Sequence, residues 1–166
     1  MSVSVSIIVP CYNVAAYLDQ CMESLTGQSM KDIEIICVND GSSDCTAEIL
    51  REWRNRDRRV RIIDQKNSGV SAARNSGMAA AAGTYIGFVD PDDMVERNMF
   101  QRLVTAAAEK EADVAVCGYH EFCDCGDMDM PESGWSPSAG FFPEEKRNGS
   151  GGGRRGAGAR ERCGTS

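Results

Sequence analysis

The chain has 166 residues, enough for one domain, and 42% of them are hydrophobic, enough for a core. The formal net charge of −7 is unevenly spread: residues 1–145 carry 12 basic against 24 acidic side chains, whereas residues 146–166 carry six basic and one acidic. The acidic body lacks the basic face that phosphate-backbone contact requires, which argues against nucleic-acid binding.

Val3 to Val9 reads as a short apolar strand closed by Pro10. Its alternation, without a basic leader or a long apolar run, does not read as a signal peptide. Val14, Leu18, Cys21, Met22 and Leu25 recur at helical spacing and predict one buried helix face. Ile33 to Val38 is nearly all apolar, as expected of a strand covered on both sides. NDGSSD (39–44) follows as a turn and cap signal, and Ala47, Ile49, Leu50 and Trp53 continue a helix into the basic run 54–61, a solvated helix end. Val60 to Ile63 predicts a third strand. Ser68 to Ala82 predicts a helix of small residues that can pack close to a sheet or a ligand. Tyr85 to Val89 predicts a fourth strand, Phe100, Leu103, Val104, Ala107 and Ala108 a further helix, and Asp113 to Cys117 a fifth strand. Strands alternating with helices imply an α/β fold, a parallel sheet flanked on both faces by helices.

After Phe122 the periodicity is lost. Residues 123–145 read as an irregular segment, with Asp124, Asp127 and Asp129 in a solvated loop that lacks the Gly and Glu of a calcium site. Residues 146–166 contain seven glycines and no Val, Ile, Leu, Met, Phe, Tyr or Trp. Ordering them would cost roughly 30 kcal/mol with almost no apolar burial in return, so a disordered tail is expected. Cys11, Cys21, Cys37 and Cys117 sit inside apolar patterns as small hydrophobes, and Cys123 and Cys125 lack zinc-site spacing. No run approaches 18 apolar residues, so no membrane-spanning helix is expected. The default compartment is the reducing cytosol.

The polar clusters fall at informative places. Pro10–Asn13, Asn39–Asp44 and Asp90–Asp93 each follow the carboxyl end of an expected strand, where open α/β sheets bind ligands. The last cluster, DPDD, crowds Asp90, Asp92 and Asp93 together. Such carboxylates repel unless a cation joins them, and an all-oxygen cluster suits Mg²⁺ or Mn²⁺ held together with a substrate's phosphates.

SIIVPCYN, EIICVNDGSSD, NSGVSAARNSG and DPDD, in this order over residues 4–120, resemble the family 2 glycosyltransferases with the GT-A fold, a Rossmann-like, mostly parallel sheet. The resemblance implies a nucleotide-sugar-binding domain over residues 1–122 and a UDP-hexose donor. Pro10 and Tyr12 would frame the base, with the Tyr12 ring against uracil; a core tyrosine is the alternative. Asp40 would accept the uracil N–H, or act as a turn or cap residue, or both. Arg74 would reach phosphate or ribose, or pair with one of the aspartates. Asp92 would contact ribose and Asp93 the metal, with Asp90, Asn13 and Gly41 in support and Pro91 fixing the turn. Asn67, Gly69 and Asn75 would shape the loop and helix start, and Asp44 would cap a helix. His120 and Glu121 follow the fifth strand and read as structural.

Sugar transfer also needs a base for the acceptor hydroxyl. The family carries it in a second half, with the acceptor surface, and no motif for that half follows Phe122. A fold incomplete at its carboxyl side, from a truncated or frameshifted gene, is therefore expected. Two functional readings stay open: a metal-dependent transferase acting on a glycan or lipid-linked acceptor, with peripheral association at the inner membrane face, and a catalytically incomplete nucleotide-sugar-binding fragment.

Overall fold

The computed structural model describes residues 3–119. His120, Glu121 and the expectations for segments 123–145 and 146–166 lie outside the described residues. The elements run β1 (Val5–Cys11), α1 (Leu18–Thr26), β2 (Ile33–Asp40), α2 (Thr46–Arg56), β3 (Val60–Gln65), α3 (Val70–Ala80), β4 (Tyr85–Phe88) and α4 (Met99–Lys110). The four strands form one sheet in the order β3-β2-β1-β4, every pair parallel, with Val5 opposite both Ile33 and Tyr85. The chain steps outward from β1 to β3, then crosses back to place β4 on the far side of β1. Strand order therefore reverses between β1 and β4, the switch point at which such sheets open a crevice.

Alternation along the strands explains the layers. Val5, Ile7, Val9 and Cys11 of β1, with Ile33, Ile35 and Cys37 of β2, pack against Leu18, Cys21, Met22 and Leu25 of α1, Leu50 and Trp53 of α2, and Phe100 of α4. The Trp53 indole N–H finds a partner in Asp19 at 2.7 Å, which ties α2 to α1. On the opposite face Ile36 and Val38 meet Ala73, Ile63, Ala80 and Ala81. Helix α3 lies close because its residues are small: a Cβ on Gly77 would stand 2.5 Å from Ile8 Cγ2. Cys11, Cys21 and Cys37 are free and buried, as their apolar setting predicts. Burial and the nearby Cys11 and aspartates push the Cys21 thiol up to about 12, so it stays protonated.

Two expectations are corrected. Pro10 does not close the first strand; it pairs with Val38 inside β1, which runs on to Cys11. Ser4 O and Ile8 O accept from Tyr85 N and Val89 N, so even-numbered residues of β1 turn their backbone groups toward β4. The β4 ladder ends at the Ile8–Phe88 pair, so the N–H that Pro10 lacks would point past that ladder's end. The fifth strand expected at Asp113–Cys117 is not formed. After α4 ends at the left-handed Glu111, the chain makes no ladder through Tyr119, and Val114 and Val116 are 76% and 65% exposed. A strand-like composition supplies propensity; a strand also needs a neighbour.

Candidate functional site at the carboxyl edge of the sheet

Because all four strands are parallel, the ends of β1, β2, β3 and β4 lie on one edge, and the expected site residues fall there. Tyr12 follows β1 and is half exposed (50%), so it is not a core tyrosine. Asn13 adopts a left-handed backbone (φ 52°), a conformation its short polar side chain tolerates. Its Oδ1 accepts from Ser43 N at 2.8 Å, and its own N–H donates to Ser42 Oγ at 3.1 Å. Val14 N donates to Thr46 Oγ1 and Ala15 N to Asp44 Oδ2, at 3.0 and 3.1 Å. The loop after β1 is thus latched to the loop after β2.

Asp44 stands just ahead of α2, and its Oδ1 accepts from Thr46 N at 3.0 Å, so it satisfies one of the helix's free N–H groups as a capping residue would. Hydrogen bonds from Thr46, then from Ala15, outweigh desolvation and hold its carboxyl below the usual range.

Asp40 is the last residue of β2 and only 3% exposed. Its Oδ1 accepts from Gln65 Nε2 at 2.7 Å and Ser68 N at 2.9 Å, and its Oδ2 from Gly69 N at 2.8 Å. Burial pushes the carboxyl up, but these three bonds outweigh it and hold it below the usual range. Asp40 is therefore first an internal clamp that fixes the start of α3. Gln65, at the end of β3, passes the connection on by accepting from Ser76 Oγ at 2.6 Å. Sequence reading missed Gln65, although a polar residue closing an apolar strand is the same signal that marked Asp40. Next to Asp40, Gly41 has φ 71°, and a Cβ there would come within 2.7 Å of Asn67 N, so loop 66–69 can cross only over a glycine.

From α3, Arg74 reaches β4's end. Its Nη2 donates to Asp90 Oδ1 at 2.7 Å, and its guanidinium sits 6.0 Å from the centroid of the Phe88 ring. The alternative of a pairing with an aspartate is what the fold displays, yet it uses only part of the fork: Arg74 Nε is buried with no hydrogen-bond partner. Asp90 is thus the aspartate that Arg74 neutralises. Asp93 N donates to Asp90 O at 3.0 Å, closing a turn around the buried Pro91, and Asp92 and Asp93 face solvent. Desolvation, then Asp92 and Asp90, raise the Asp93 carboxyl above the usual range. A cation beside Asp93 would relieve that repulsion, and carboxylate oxygens suit a hard divalent ion. Among the described residues no three His, Cys, Asp or Glu side chains converge as a ready cage. One or two carboxylates are what the turn offers. A cavity of about 510 Å³ lined by Ser24, Gly27, Lys31, Val95 and Arg97 contains none of these residues. The candidate site is an open ledge instead.

The parallel sheet with flanking helices is a Rossmann-like α/β fold, with Tyr12 on one side of its strand-order switch and an acidic turn on the other. The sequence model of glycosyl transferase family 2 matches residues 6–159, and the chain belongs to that family. The match runs past Phe122, where the motif reading ended. An uncharacterized glycosyltransferase, EpsJ of Bacillus subtilis (strain 168), is 51% identical over 117 residues, which are 70% of this chain and 34% of EpsJ. Glycosyltransferase GlyA of Streptococcus pneumoniae is 44% identical over 118 residues, 71% of this chain and 17% of GlyA. The structure of S. aureus TarS 1–349 in complex with UDP-GlcNAc superposes with a TM-score of 0.62 at 28% identity, covering 65% of this chain and 32% of that one. The chain thus spans about a third of EpsJ's length. No helix among the described residues is long and apolar enough to cross a membrane.

Proposed function

We propose that this chain is the donor-binding part of a metal-dependent glycosyltransferase that takes a UDP-hexose and serves a glycan or lipid-linked acceptor. The observation that carries the reading is that Tyr12, Asp40, Arg74 and Asp92–Asp93 share one sheet edge, with Tyr12 and the acid turn on opposite sides of the β1/β4 switch point. Tyr12 offers a flat exposed face for a base. Asp40 spends three of its roughly four acceptor positions internally and keeps one for a ring N–H such as that of uracil. The Arg74 side chain is 38% exposed, and the accessible part of its guanidinium is a donor for a phosphate oxygen. Asp92 can accept from a ribose hydroxyl. Asp93 would hold Mn²⁺ or Mg²⁺, which when bound would neutralise charge building on the departing nucleoside diphosphate. Asn13 and Gly41 support the site by shaping its loops. The TarS complex with UDP-GlcNAc favours uridine over other bases by analogy.

A second reading is a donor-binding unit that does not transfer. Every contact assigned above lies on the donor side, and no described residue is assigned as base for an acceptor hydroxyl. Incubating the chain with a UDP-sugar panel and Mn²⁺, while following UDP release and thermal stability, separates the two. Release with stabilisation supports the transferase, and stabilisation without release supports the binding unit. Neither effect at millimolar UDP would overturn both. Association with a membrane's inner face belongs to the same proposal, and sedimentation with anionic vesicles tests it.

A further inference from the structure

Gln28, one residue beyond the cap of α1, is fully buried, which is rare for an amide. Its Nε2 donates to Ser24 O at 3.1 Å and, across the fold, to Glu96 O at 2.8 Å, while its Oε1 accepts from Phe100 N at 3.4 Å. Around it, Ser29 N donates to Arg97 O at 2.9 Å. One turn back, Ser24 Oγ accepts from Val95 N at 3.2 Å, and further back Cys21 Sγ approaches Asp90 O at 3.7 Å. Cys21 and Ser24 lie one turn apart on α1, and Gln28 follows just past its cap. Together with Ser29 they grip the main chain at Asp90, Val95, Glu96, Arg97 and Phe100. That stretch carries Asp92 and Asp93 and is irregular until α4 begins at Met99. An apolar side chain would fill the Gln28 position equally well, but it would leave Glu96 O and Phe100 N without their partner. The amide therefore does something that packing alone does not require.

We propose that Gln28 is a positioning residue for the acid turn. By joining the end of α1 to both sides of the loop that follows Asp93, it holds that loop, and with it Asp92 and Asp93, in register with the ends of β1 and β2. Its consequence for ligand binding rests on the donor-site reading; the positional claim does not.

The test compares Gln28→Met, which keeps the volume and loses both hydrogen-bonding ends, with Leu50→Ala, a core truncation on α2 away from the loop. Each is examined at temperatures giving the same distance below its own Tm. Native-state hydrogen exchange is read at the amides of Asp93, Val95 and Phe100, and affinity is read for UDP with Mn²⁺. Gln28→Met is expected to speed exchange at those three amides at least tenfold over Leu50→Ala and to weaken binding about 5- to 10-fold. Leu50→Ala is expected to bind within twofold of the unaltered chain. Equal exchange in the two variants would overturn the positioning role and leave Gln28 a general core residue. If the unaltered chain binds no UDP with Mn²⁺, the donor-site reading fails, and the exchange result alone decides the role of Gln28. Should Gln28→Met fail to fold, Gln28→Asn, which keeps an amide but shortens its reach by one methylene, carries the same comparison with exchange at Phe100 as its readout; an unchanged rate there would count against the proposal.

Discussion

Replacing Asp40 with alanine is the perturbation whose size follows most directly from the structure. The substitution leaves three donors, Gln65 Nε2, Ser68 N and Gly69 N, without their acceptor at a position 3% exposed. A hydrogen bond to a charged acceptor contributes about 1.5–3 kcal/mol, but water can reach loop 66–69 and re-satisfy part of the loss. A net cost of about 3 kcal/mol is expected. At roughly 4 °C per kcal/mol for a domain of this size, that lowers Tm by about 10 °C or more. Asp40→Asn keeps one acceptor oxygen but turns an amide donor toward Gly69 N or its neighbours, so it should lose at least half as much. Urea unfolding gives the free energies, and UDP titration of the folded variants separates the clamp from any base contact. A loss below about 0.5 kcal/mol for Asp40→Ala would refute the clamp. An intact UDP affinity in a folded Asp40→Ala chain would refute base recognition while leaving the clamp standing.

Asp93 should behave in the opposite sense. Its carboxyl is raised in the fold, so the folded state holds the proton more tightly. Desolvation of its carboxylate, with repulsion from Asp92 and Asp90, therefore costs stability above the folded pKa, and that cost disappears as pH falls toward the ordinary carboxylate value. Asp93→Asn should accordingly raise Tm at neutral pH without metal and abolish the extra stabilisation by Mn²⁺ with UDP, both read by thermal unfolding. Asp40, Asp44, Glu34 and Asp57 have lowered carboxyls, so the stability they add is present above the ordinary carboxylate value and is lost as pH falls through their folded values. An acid titration of unfolding free energy should show net loss of stability in that range. Arg74→Lys should change stability by less than about 1 kcal/mol, because the pair with Asp90 is solvent-exposed, yet weaken UDP binding about tenfold through loss of the guanidinium fork. Gly77→Ala should destabilise the chain in urea by about 1–3 kcal/mol, since its Cβ would press on Ile8 by more than the ~1 kcal/mol of helix propensity it gains.

What could be read ahead of the fold was whatever local pattern controls. Apolar runs marked β1, β2, β3 and β4, and because parallel strands share a direction, the polar clusters after β1, β2 and β4 fall on one edge. The alanines and Gly77 of α3 announced a helix able to lie close to a sheet or a ligand, and it is the sheet that Gly77 abuts, at Ile8. Pairing was beyond local pattern. Pro10 looked like a stop because its missing N–H matters only if a neighbour needs it, and the β4 ladder ends at Ile8. Val114 and Val116 looked like a strand because alternation carries no information about whether an edge is present to receive it. Asp40 stood out as a polar residue after a strand, but its partners at Ser68 and Gly69 lie far along the chain, so its internal work was hidden. Gln28 and Gln65 were hidden for the same reason, as amides whose partners sit on other elements.

The most direct test of the ledge is a titration of the ¹⁵N-labelled chain with UDP in the presence of Mg²⁺, following backbone amides. The account predicts that amides of Tyr12 and Asn13, of Asp40 and Gly41, of Gly69 at the start of α3, and of Asp90, Asp92 and Asp93 shift together along one saturation curve. Shifts confined to the opposite edge of the sheet, near Val5, Ile33 and Tyr85, would contradict it, as would curves with separate midpoints for Tyr12 and Asp93.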